Sequence, residues 1–255
     1  MRALQISAYG EPLKVLELVD VPEPGVPGAG EVLVEVELAP LNKHDLLFIR
    51  GFFGGSPTPT VVGNEGFGRV AAVGPGVANV KVGEHVLTPI FGLTWRKRLI
   101  APAEGLFPLP DGDRLQFAQL GSNPPTAALM LSEYMDLKPG DWVVQNGGNS
   151  GVGRSLIAIA KLRGIRTVSL VRRRELIDEL KAAGADLVLM DEPAAIEDAA
   201  RVIGNGSVGW WSIQWVVMRR QGSFRCCRTT VCSSATQRRA DGLWKSTNFS
   251  SLASA

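Results

Sequence analysis

The chain has 255 residues, of which 45% are hydrophobic, and a formal net charge of +2. This length and composition support a large buried core, and we expect two domains. No apolar run approaches the roughly 20 residues that cross a bilayer, so we expect no membrane partner. Residues 206–255 carry six Arg and one Lys against one Asp, a net +6 that leaves −4 for the remainder. A mildly acidic body argues against nucleic-acid binding.

The first 121 residues follow a β pattern. Short alternating or β-branched runs, such as residues 31–38 and 68–74, are broken by Gly and Pro. Several such strands with turns between them predict a compact, mostly β domain or barrel. Residues 1–6 alternate like a strand and lack the continuous apolar segment of a signal peptide, so we expect a cytoplasmic protein.

From Pro124 the pattern changes to helices alternating with strands. The periodicity predicts helices over residues 126–134, 153–163 and 174–183, and strands over residues 142–145, 167–171 and 187–190. This alternation is typical of an α/β domain with a doubly wound parallel sheet. We assign residues 122–205 to this second domain, as its first half.

Residues 206–255 form an atypical tail. Nine serines fall there, together with four of the six tryptophans and all three cysteines, which are Trp210, Trp211, Trp215, Trp244, Cys226, Cys227 and Cys232. Residues 224–255 offer neither helical nor strand periodicity for more than a few residues, although a doubly wound sheet needs further β and α units. A frameshifted or truncated gene explains such a change, and an unusual natural tail is the alternative. The cysteine-free body fits a reducing compartment.

Glycines cluster where a predicted strand turns into a helix. Residues 146–153 read Asn-Gly-Gly-Asn-Ser-Gly-Val-Gly and follow the apolar run at residues 142–144. Glycine lets the backbone turn tightly and approach a pyrophosphate, whose negative charge a helix N-terminus favours. The spacing is G-x-x-G-x-G and not the strict G-x-G-x-x-G. An ordinary strand-to-helix turn therefore remains an alternative to a dinucleotide site.

Three arginines follow the second predicted strand of this domain. An acidic residue at that place binds the ribose 2′-hydroxyl of NAD, whereas arginine binds the 2′-phosphate of NADP. Arg172, Arg173 and Arg174 stand there, and guanidinium groups form bidentate, charge-assisted bonds with phosphate. The sequence therefore predicts NADPH as the cofactor. A solvated helix start is the alternative, although three cations there oppose the helix dipole.

Several segments together resemble one family. They are Gly63-Asn64-Glu65-Gly66, residues 137–141, 144–146 and 149–153, and Arg166-Thr167. In this order they resemble the zinc-independent medium-chain reductases, and among these the mitochondrial-type trans-2-enoyl thioester reductases. The resemblance covers roughly residues 1–203. It implies a GroES-like β-barrel catalytic domain followed by a Rossmann domain, of which this chain has the first half. It also implies a homodimer, which usually forms through a sheet edge in the missing half.

The resemblance also implies site residues. The cofactor-binding positions are Asn123, Thr126, Asn149, Ser150, Gly151, Val152, Arg172, Arg173 and Arg174. The catalytic positions are Asn42, Asp45 and Phe53. Phe53 stands where the family has a tyrosine whose hydroxyl orients the thioester, so that hydroxyl is missing here. Asn42 and Asp45 have an alternative role in satisfying backbone groups of a turn. Trp95 matches a family tryptophan, and core packing explains it as well as substrate contact does.

We expect no metal. Related alcohol dehydrogenases hold catalytic zinc with cysteine and histidine, but residues 1–203 contain no cysteine, and Asn64 replaces the histidine of the family's Gly-His-Glu segment. His44 and His85 are the only histidines, and we assign both to surface or packing roles. Without a metal to polarise an alkoxide, reduction of an activated C=C bond fits better than alcohol oxidation.

Three functions follow from these residues. The first is an NADPH-dependent reductase for the C=C bond of an α,β-unsaturated acyl thioester. The second is an NADPH:quinone or small-enone oxidoreductase, which the loss of the tyrosine hydroxyl at Phe53 favours. The third belongs to another class, a catalytically inactive nucleotide-binding protein or truncated gene product, and the tail motivates it.

Overall fold

The computed structural model describes residues 1–53, 57–133, 137–192, 194–203, 215–218 and 224–227. In the first part of the chain, strands form two antiparallel sheets with the orders β2-β1-β4 and β6-β5-β3-β7. The elements are β1 (Arg2–Ile6), α1 (Pro12–Val15), β2 (Leu16–Asp20), β3 (Glu31–Leu38), α2 (Lys43–Ile49), β4 (Thr60–Val61), β5 (Phe67–Val73), β6 (His85–Leu87), β7 (Arg98–Pro102) and α3 (Arg114–Phe117).

A valine-rich core holds the four-stranded sheet. Side chains alternate between the two faces of a strand, and in β3 this buries Val32 and Val34 while Glu35 takes part in exposed ion pairs. Val70 of β5 and Val86 of β6 pack in the same cluster. The alternation in the sequence thus fixes which face of β3 points inward, and the predicted strand at residues 31–38 is confirmed.

The second part of the chain contains a parallel sheet with helices. Its elements are α4 (Asn123–Ser132), β8 (Trp142–Asn146), α5 (Gly151–Leu162), β9 (Arg166–Val171), α6 (Leu176–Ala182), β10 (Leu187–Met190) and α7 (Ala195–Ile203). Strands β8, β9 and β10 pair in parallel in the order β10-β9-β8. The predicted βαβαβ unit is therefore confirmed, and its strands are nearly continuous apolar runs because helices cover both faces.

Helix boundaries differ from the predicted ones in ways that capping explains. The first helix begins at Asn123, three residues earlier than predicted, because two prolines fit its first turn; its predicted end at Tyr134 lies outside the described residues. Helix α5 begins at Gly151 after the cap Ser150. Helix α6 begins at Leu176 and not at residue 174, since the arginines form the preceding turn.

Two short strands of the tail continue the sheet beside β8. They are β11 (Trp215–Met218) and β12 (Phe224–Cys227), and each has four residues. Strand β11 pairs antiparallel with β8, from Trp215 opposite Gln145 to Met218 opposite Trp142. A doubly wound sheet continues with a parallel strand at this place. The rest of the predicted atypical tail, with Trp210, Trp211, Trp244 and Cys232, lies outside the described residues.

The helices of the described ranges are short, and α5 has 12 residues. Among them, none combines the length and the apolar character that a bilayer span requires.

Candidate functional site

A glycine-rich turn joins β8 to α5. Gly147 has a φ of 57°, a left-handed conformation that glycine adopts at little steric cost. The Ser150 hydroxyl accepts a hydrogen bond of 3.0 Å from the backbone N–H of Gly153 and caps α5. A Cβ at Gly153 would lie 2.6 Å from the carbonyl oxygen of Gly147. The small residues thus bring the turn against the N-terminus of α5, where amides and helix dipole favour an anion.

Two side chains, those of Arg154 and Gln145, stabilise this turn by hydrogen bonds. Arg154 donates from Nε to the carbonyl oxygen of Asn149 at 3.2 Å and from Nη2 to Glu179 at 2.6 Å. Gln145 is fully buried under the turn and donates from Nε2 to the carbonyl oxygen of Gly153 at 3.1 Å. The loop is therefore held in one shape before any ligand binds, which lowers the entropic cost of binding.

The three arginines lie at the end of the strand next to the loop. The backbone N–H of Gly148 donates to the carbonyl oxygen of Leu170 in β9 at 3.3 Å, and residues 172–174 follow β9 directly, all exposed. Arg173 has an ion pair with Glu175 at 3.8 Å, where both side chains are exposed. Such a pair contributes little, so it competes weakly with a bound phosphate for these guanidinium groups.

In the first domain, polar side chains meet at the start of α2. The backbone N–H of Asn42 donates to Oδ2 of Asp45 at 2.7 Å, as in a capping box. The other oxygen of Asp45 accepts the backbone N–H of Asn64 at 2.8 Å. The Asn42 side chain donates from Nδ2 to Oε1 of Glu65 at 2.6 Å. One asparagine therefore contacts two carboxyl groups, and Asp45 and Glu65 are almost completely buried.

Burial sets the protonation of this pair. It raises the pKa of Asp45 above the ordinary 3.8, against a lowering effect of the Asn42 and Asn64 amides. It also raises the pKa of Glu65 above the ordinary 4.5, although the hydrogen bond from the Asn42 side chain partly offsets this. The Asp45 carboxylate raises the pKa of Glu65 further by repulsion. Both groups hold their protons more tightly than exposed carboxyl groups do.

Asn123 connects this cluster to the glycine-rich turn. It is the first residue of α4, and its Nδ2 donates to Oδ1 of Asn42 at 3.3 Å. A Cβ at Gly151 would lie 2.5 Å from Nδ2 of Asn123, so the side chain rests on the first turn of α5. The structure thereby joins predicted cofactor positions, Asn123 and Gly151, to the predicted catalytic position Asn42.

A cavity of about 310 Å³ lies beside the start of α2. It is lined by His44, Asp45, Phe48, Gly63, Asn64, Phe91 and Leu93. Phe53, the third predicted catalytic position, is half exposed and stacks on the His44 ring with centroids 4.5 Å apart. The cavity is mostly apolar with a few polar groups, as small-molecule sites usually are.

The remaining predicted positions lie near the glycine-rich turn or in the core of the first domain. Thr126 lies on the first turn of α4 and donates its hydroxyl to the carbonyl oxygen of Ser122 at 2.7 Å. Val152 follows Gly151 in the first turn of α5 and packs against a buried cluster. Trp95 packs against the core around Ile6, and it also lines a larger cavity of about 500 Å³ that contains none of the predicted site residues.

Two residues of the site were not among the predicted positions. Glu65 stands in the quoted Gly-Asn-Glu-Gly segment, so the motif contained the signal, but its burial against Asn42 is a tertiary contact. His44 was assigned to packing or the surface, and it does stack on Phe53, yet it also lines the cavity. A histidine next to an aspartate at the start of an amphipathic helix does not show, from the local sequence, whether it packs against the fold or lines a cavity.

The position that corresponds to the family histidine serves the fold in this chain. Asn64 accepts the backbone N–H of Phe91 at 3.2 Å through Oδ1. Its amide therefore holds the loop that closes the cavity. Among the described residues, no group of three or more His, Cys, Asp or Glu side chains is arranged to hold a metal ion.

Known proteins are similar to this chain in both parts. The alcohol dehydrogenase GroES-like domain family matches residues 28–111. The mitochondrial enoyl-[acyl-carrier-protein] reductase of Caenorhabditis elegans is 42% identical over 198 residues, which are 75% of this chain and 58% of that protein. The chain therefore spans somewhat over half the length of this relative.

Solved structures agree with this similarity. A mycobacterial protein complexed with NADPH aligns at a TM-score of 0.71 and 33% identity, covering 79% of this chain and 62% of that one. A quinone oxidoreductase of Pseudomonas syringae aligns at 0.71 and 28% identity, with the same coverage of 79% and 62%. The paired architecture is that of the medium-chain dehydrogenases/reductases. These similarities support that superfamily for this chain, with the mitochondrial enoyl reductases among the proteins that it resembles.

The raised pKa of Glu65 leads to a prediction on stability. A carboxyl group that binds its proton more tightly in the folded state stabilises the fold fully below its unfolded pKa, near 4.5, and this contribution is lost as the pH rises through the folded pKa. Glu65→Gln removes the titration. We expect the free energy of unfolding of the variant, relative to wild type, to increase as the pH rises, by about 1.4 kcal/mol for every tenfold by which folding tightens proton binding at Glu65.

Urea unfolding at a series of pH values from about 4 to 8, which brackets the ordinary glutamate pKa, measures this difference. The exposed Glu17 on β2 supplies the control, because Glu17→Gln makes the same chemical change at a side chain in water. A Glu65→Gln difference that varies with pH no more than the Glu17→Gln difference, or that decreases with pH, would show that burial does not govern the Glu65 carboxyl group.

Proposed function

We propose that the protein is an NADPH-dependent oxidoreductase that reduces the C=C bond of an α,β-unsaturated acyl thioester. The observation that carries this proposal is the contact between Asn123 and Asn42, which brings an anion-binding turn next to a mostly apolar cavity. The relative named above is an enoyl-[acyl-carrier-protein] reductase, and the mycobacterial neighbour was solved with NADPH. The first similarity supports this substrate class, and the second supports this cofactor.

The residues of the turn fit a dinucleotide. Gly147 takes the left-handed φ of 57° that the turn requires, and Gly153 leaves no room for a Cβ against the carbonyl oxygen of Gly147. The first turn of α5 offers amides to a pyrophosphate. Asn149, Ser150, Gly151 and Val152 would line the pyrophosphate. Thr126 and Asn123, on the first turn of α4, would face the nicotinamide end. When bound, NADPH supplies a hydride.

The arginines at residues 172–174 would bind the 2′-phosphate. They are exposed, they follow β9, and that strand end hydrogen-bonds to the glycine-rich turn. A monoester phosphate carries nearly two negative charges at neutral pH, and guanidinium groups bind it through charge-assisted hydrogen bonds. This placement supports NADPH over NADH.

The cavity beside α2 would take the acyl part of the substrate. Phe48, Phe91 and Leu93 give it apolar walls, which exclude water from the reacting carbons. Asn42 and Asp45 would act at its polar end by fixing the backbone around residue 64 and by contacting Asn123. Phe53 would close the cavity with its ring but offers no hydroxyl to the thioester.

A second candidate is an NADPH:quinone or small-enone oxidoreductase. The absence of a hydroxyl at Phe53 favours it, because a quinone needs less precise protonation than a thioester enolate. The quinone oxidoreductase of Pseudomonas syringae has the same architecture at 28% identity. The third candidate, an inactive nucleotide-binding protein or truncated gene product, follows from the antiparallel β11 at the place of a parallel strand.

We also propose domain boundaries, partners and a cellular location. We place a catalytic domain at residues 1–121, a nucleotide domain at residues 122–205 and an atypical tail at residues 206–255. We expect a small-molecule substrate, no nucleic-acid or membrane partner, and a cytoplasmic protein, although the enoyl-reductase relative is mitochondrial. A homodimer is the family's usual state. In this chain β11 and β12 form one edge of the five-stranded sheet, and a dimer through that edge would involve them.

The arginine assignment predicts a cofactor preference. Replacing Arg172, Arg173 and Arg174 together with alanine should weaken NADPH binding about tenfold or more, since each charged hydrogen bond contributes about 1.5–3 kcal/mol. NADH lacks the 2′-phosphate, so its affinity should not change. Fluorescence titration measures both dissociation constants. Lys14→Ala, an exposed cation on α1, is the control. An equal loss for NADH and NADPH would refute the role of these arginines.

The substrate assignment predicts a choice between acceptors. Wild-type protein should oxidise NADPH with crotonyl-CoA, and the saturated thioester should accumulate in equal amount. Absorbance at the nicotinamide band and mass spectrometry of the product measure the two. Turnover of a quinone alone would replace the leading proposal with the second one. Binding of NADPH without turnover of either acceptor would support the third.

A further inference from the structure

His44 combines a buried nitrogen with a place in the cavity wall. It is the second residue of α2, and its Nε2 is buried without a hydrogen-bond partner among the described residues. The ring stacks on Phe53 with centroids 4.5 Å apart and an interplanar angle of 21°, and the Phe91 ring lies 5.4 Å away. Two aromatic rings therefore hold the imidazole, while its Nε2 contributes nothing to the hydrogen bonding of the described fold.

The oxygen atoms of the other polar side chains that line the cavity are already engaged. Both oxygens of Asp45 accept backbone amides, from Asn42 at 2.7 Å and from Asn64 at 2.8 Å. Oδ1 of Asn64 accepts the backbone N–H of Phe91. Buried polar groups normally have partners, and one that does not calls for an explanation such as a ligand. Nε2 of His44 is such a buried group in the lining of this cavity.

Phe53 gives this nitrogen its chemical context. At the place of the family's tyrosine hydroxyl the chain has a phenyl ring, and that ring lies directly on the imidazole. An imidazole that carries hydrogen on Nε2 is a hydrogen-bond donor like a phenol, and this tautomer is available to neutral histidine. The donor lost at Phe53 and the unused donor at His44 are thus neighbours in space.

We propose that His44 is a catalytic residue whose Nε2–H donates a hydrogen bond to the carbonyl oxygen of the enoyl thioester. This inference rests on the proposed function. It assigns to His44 the orienting role that the tyrosine hydroxyl has in the family. A donor aimed at an oxygen that gains negative charge during the reaction stabilises the transition state more than the ground state.

The step is a hydride addition followed by protonation. Bound NADPH would supply a hydride, with its electron pair, to the β-carbon. The π pair of the C=C bond then shifts towards the carbonyl, and the enolate oxygen that forms accepts the hydrogen bond from Nε2–H of His44. A water proton then adds to the α-carbon and the C=O bond re-forms. The nicotinamide is oxidised, the acyl chain is reduced, and one solvent proton is consumed.

Two variants of His44 separate hydrogen bonding from packing. His44→Phe keeps an aromatic ring against Phe53 and removes the donor, whereas His44→Gln keeps an N–H near the position of Nε2. We expect His44→Phe to lower kcat for crotonyl-CoA about 100-fold, with the dissociation constant of NADPH and the melting temperature unchanged. His44→Gln should stay within about tenfold of wild type, because it retains a donor.

A rescue experiment tests the relation to Phe53. The double variant His44→Phe/Phe53→Tyr restores a hydroxyl at the neighbouring ring, and we expect it to recover most of the kcat that His44→Phe loses. A structural role of His44 would not produce this recovery. Steady-state rates with NADPH and crotonyl-CoA, measured for wild type and all three variants, supply the comparison.

The outcomes separate a failure at His44 from a failure of the proposed function. If wild type reduces crotonyl-CoA and His44→Phe retains its kcat, His44 does not bind the carbonyl, while the proposed function stands. A catalytic role of His44 is likewise refuted if both single variants lose activity together with thermal stability. If wild type does not reduce crotonyl-CoA at all, the proposed function and this inference are both wrong.

Discussion

The arrangement of the site depends on the hydrogen bonds of Asn42, through its side chain and its backbone. Its Nδ2 donates to buried Glu65, its backbone N–H donates to Asp45, and its Oδ1 accepts from Asn123. Asn123 in turn lies against Gly151 at the start of α5. One asparagine, whose amide side chain is both donor and acceptor, thereby links the start of α2, two buried carboxyl groups and the contact between cavity and turn.

The glycine-rich turn and the cavity differ in how they are stabilised. The turn is held by backbone geometry and by hydrogen bonds from Gln145 and Arg154. The cavity wall contains a hydrogen-bonding group without a partner among the described residues, at His44. In physical terms the first is preorganised for an anion, and the second is incomplete until a polar ligand atom enters it.

The sequence predicted much of the fold because its signals are local. Alternation placed β3, and glycines with flanking apolar runs placed the turn between β8 and α5. The partnership of Asn42 with Glu65 spans 23 residues and that with Asn123 spans 81, and no periodicity reports such contacts. The sequence did not predict the pairing of β11 with β8 for a similar reason. A strand of four residues shows little alternation, and its pairing depends on a tertiary contact with the edge of β8.

Isotope transfer from the cofactor distinguishes reduction of the C=C bond from reduction of a quinone. NADPH carrying deuterium at the transferable C4 position is incubated with the full chain and crotonyl-CoA, and the product is examined by NMR. We expect butyryl-CoA with one deuterium at the β-carbon and one solvent hydrogen at the α-carbon. Deuterium at the α-carbon, or recovery of the enoyl thioester unchanged while a quinone is reduced, would contradict this expectation.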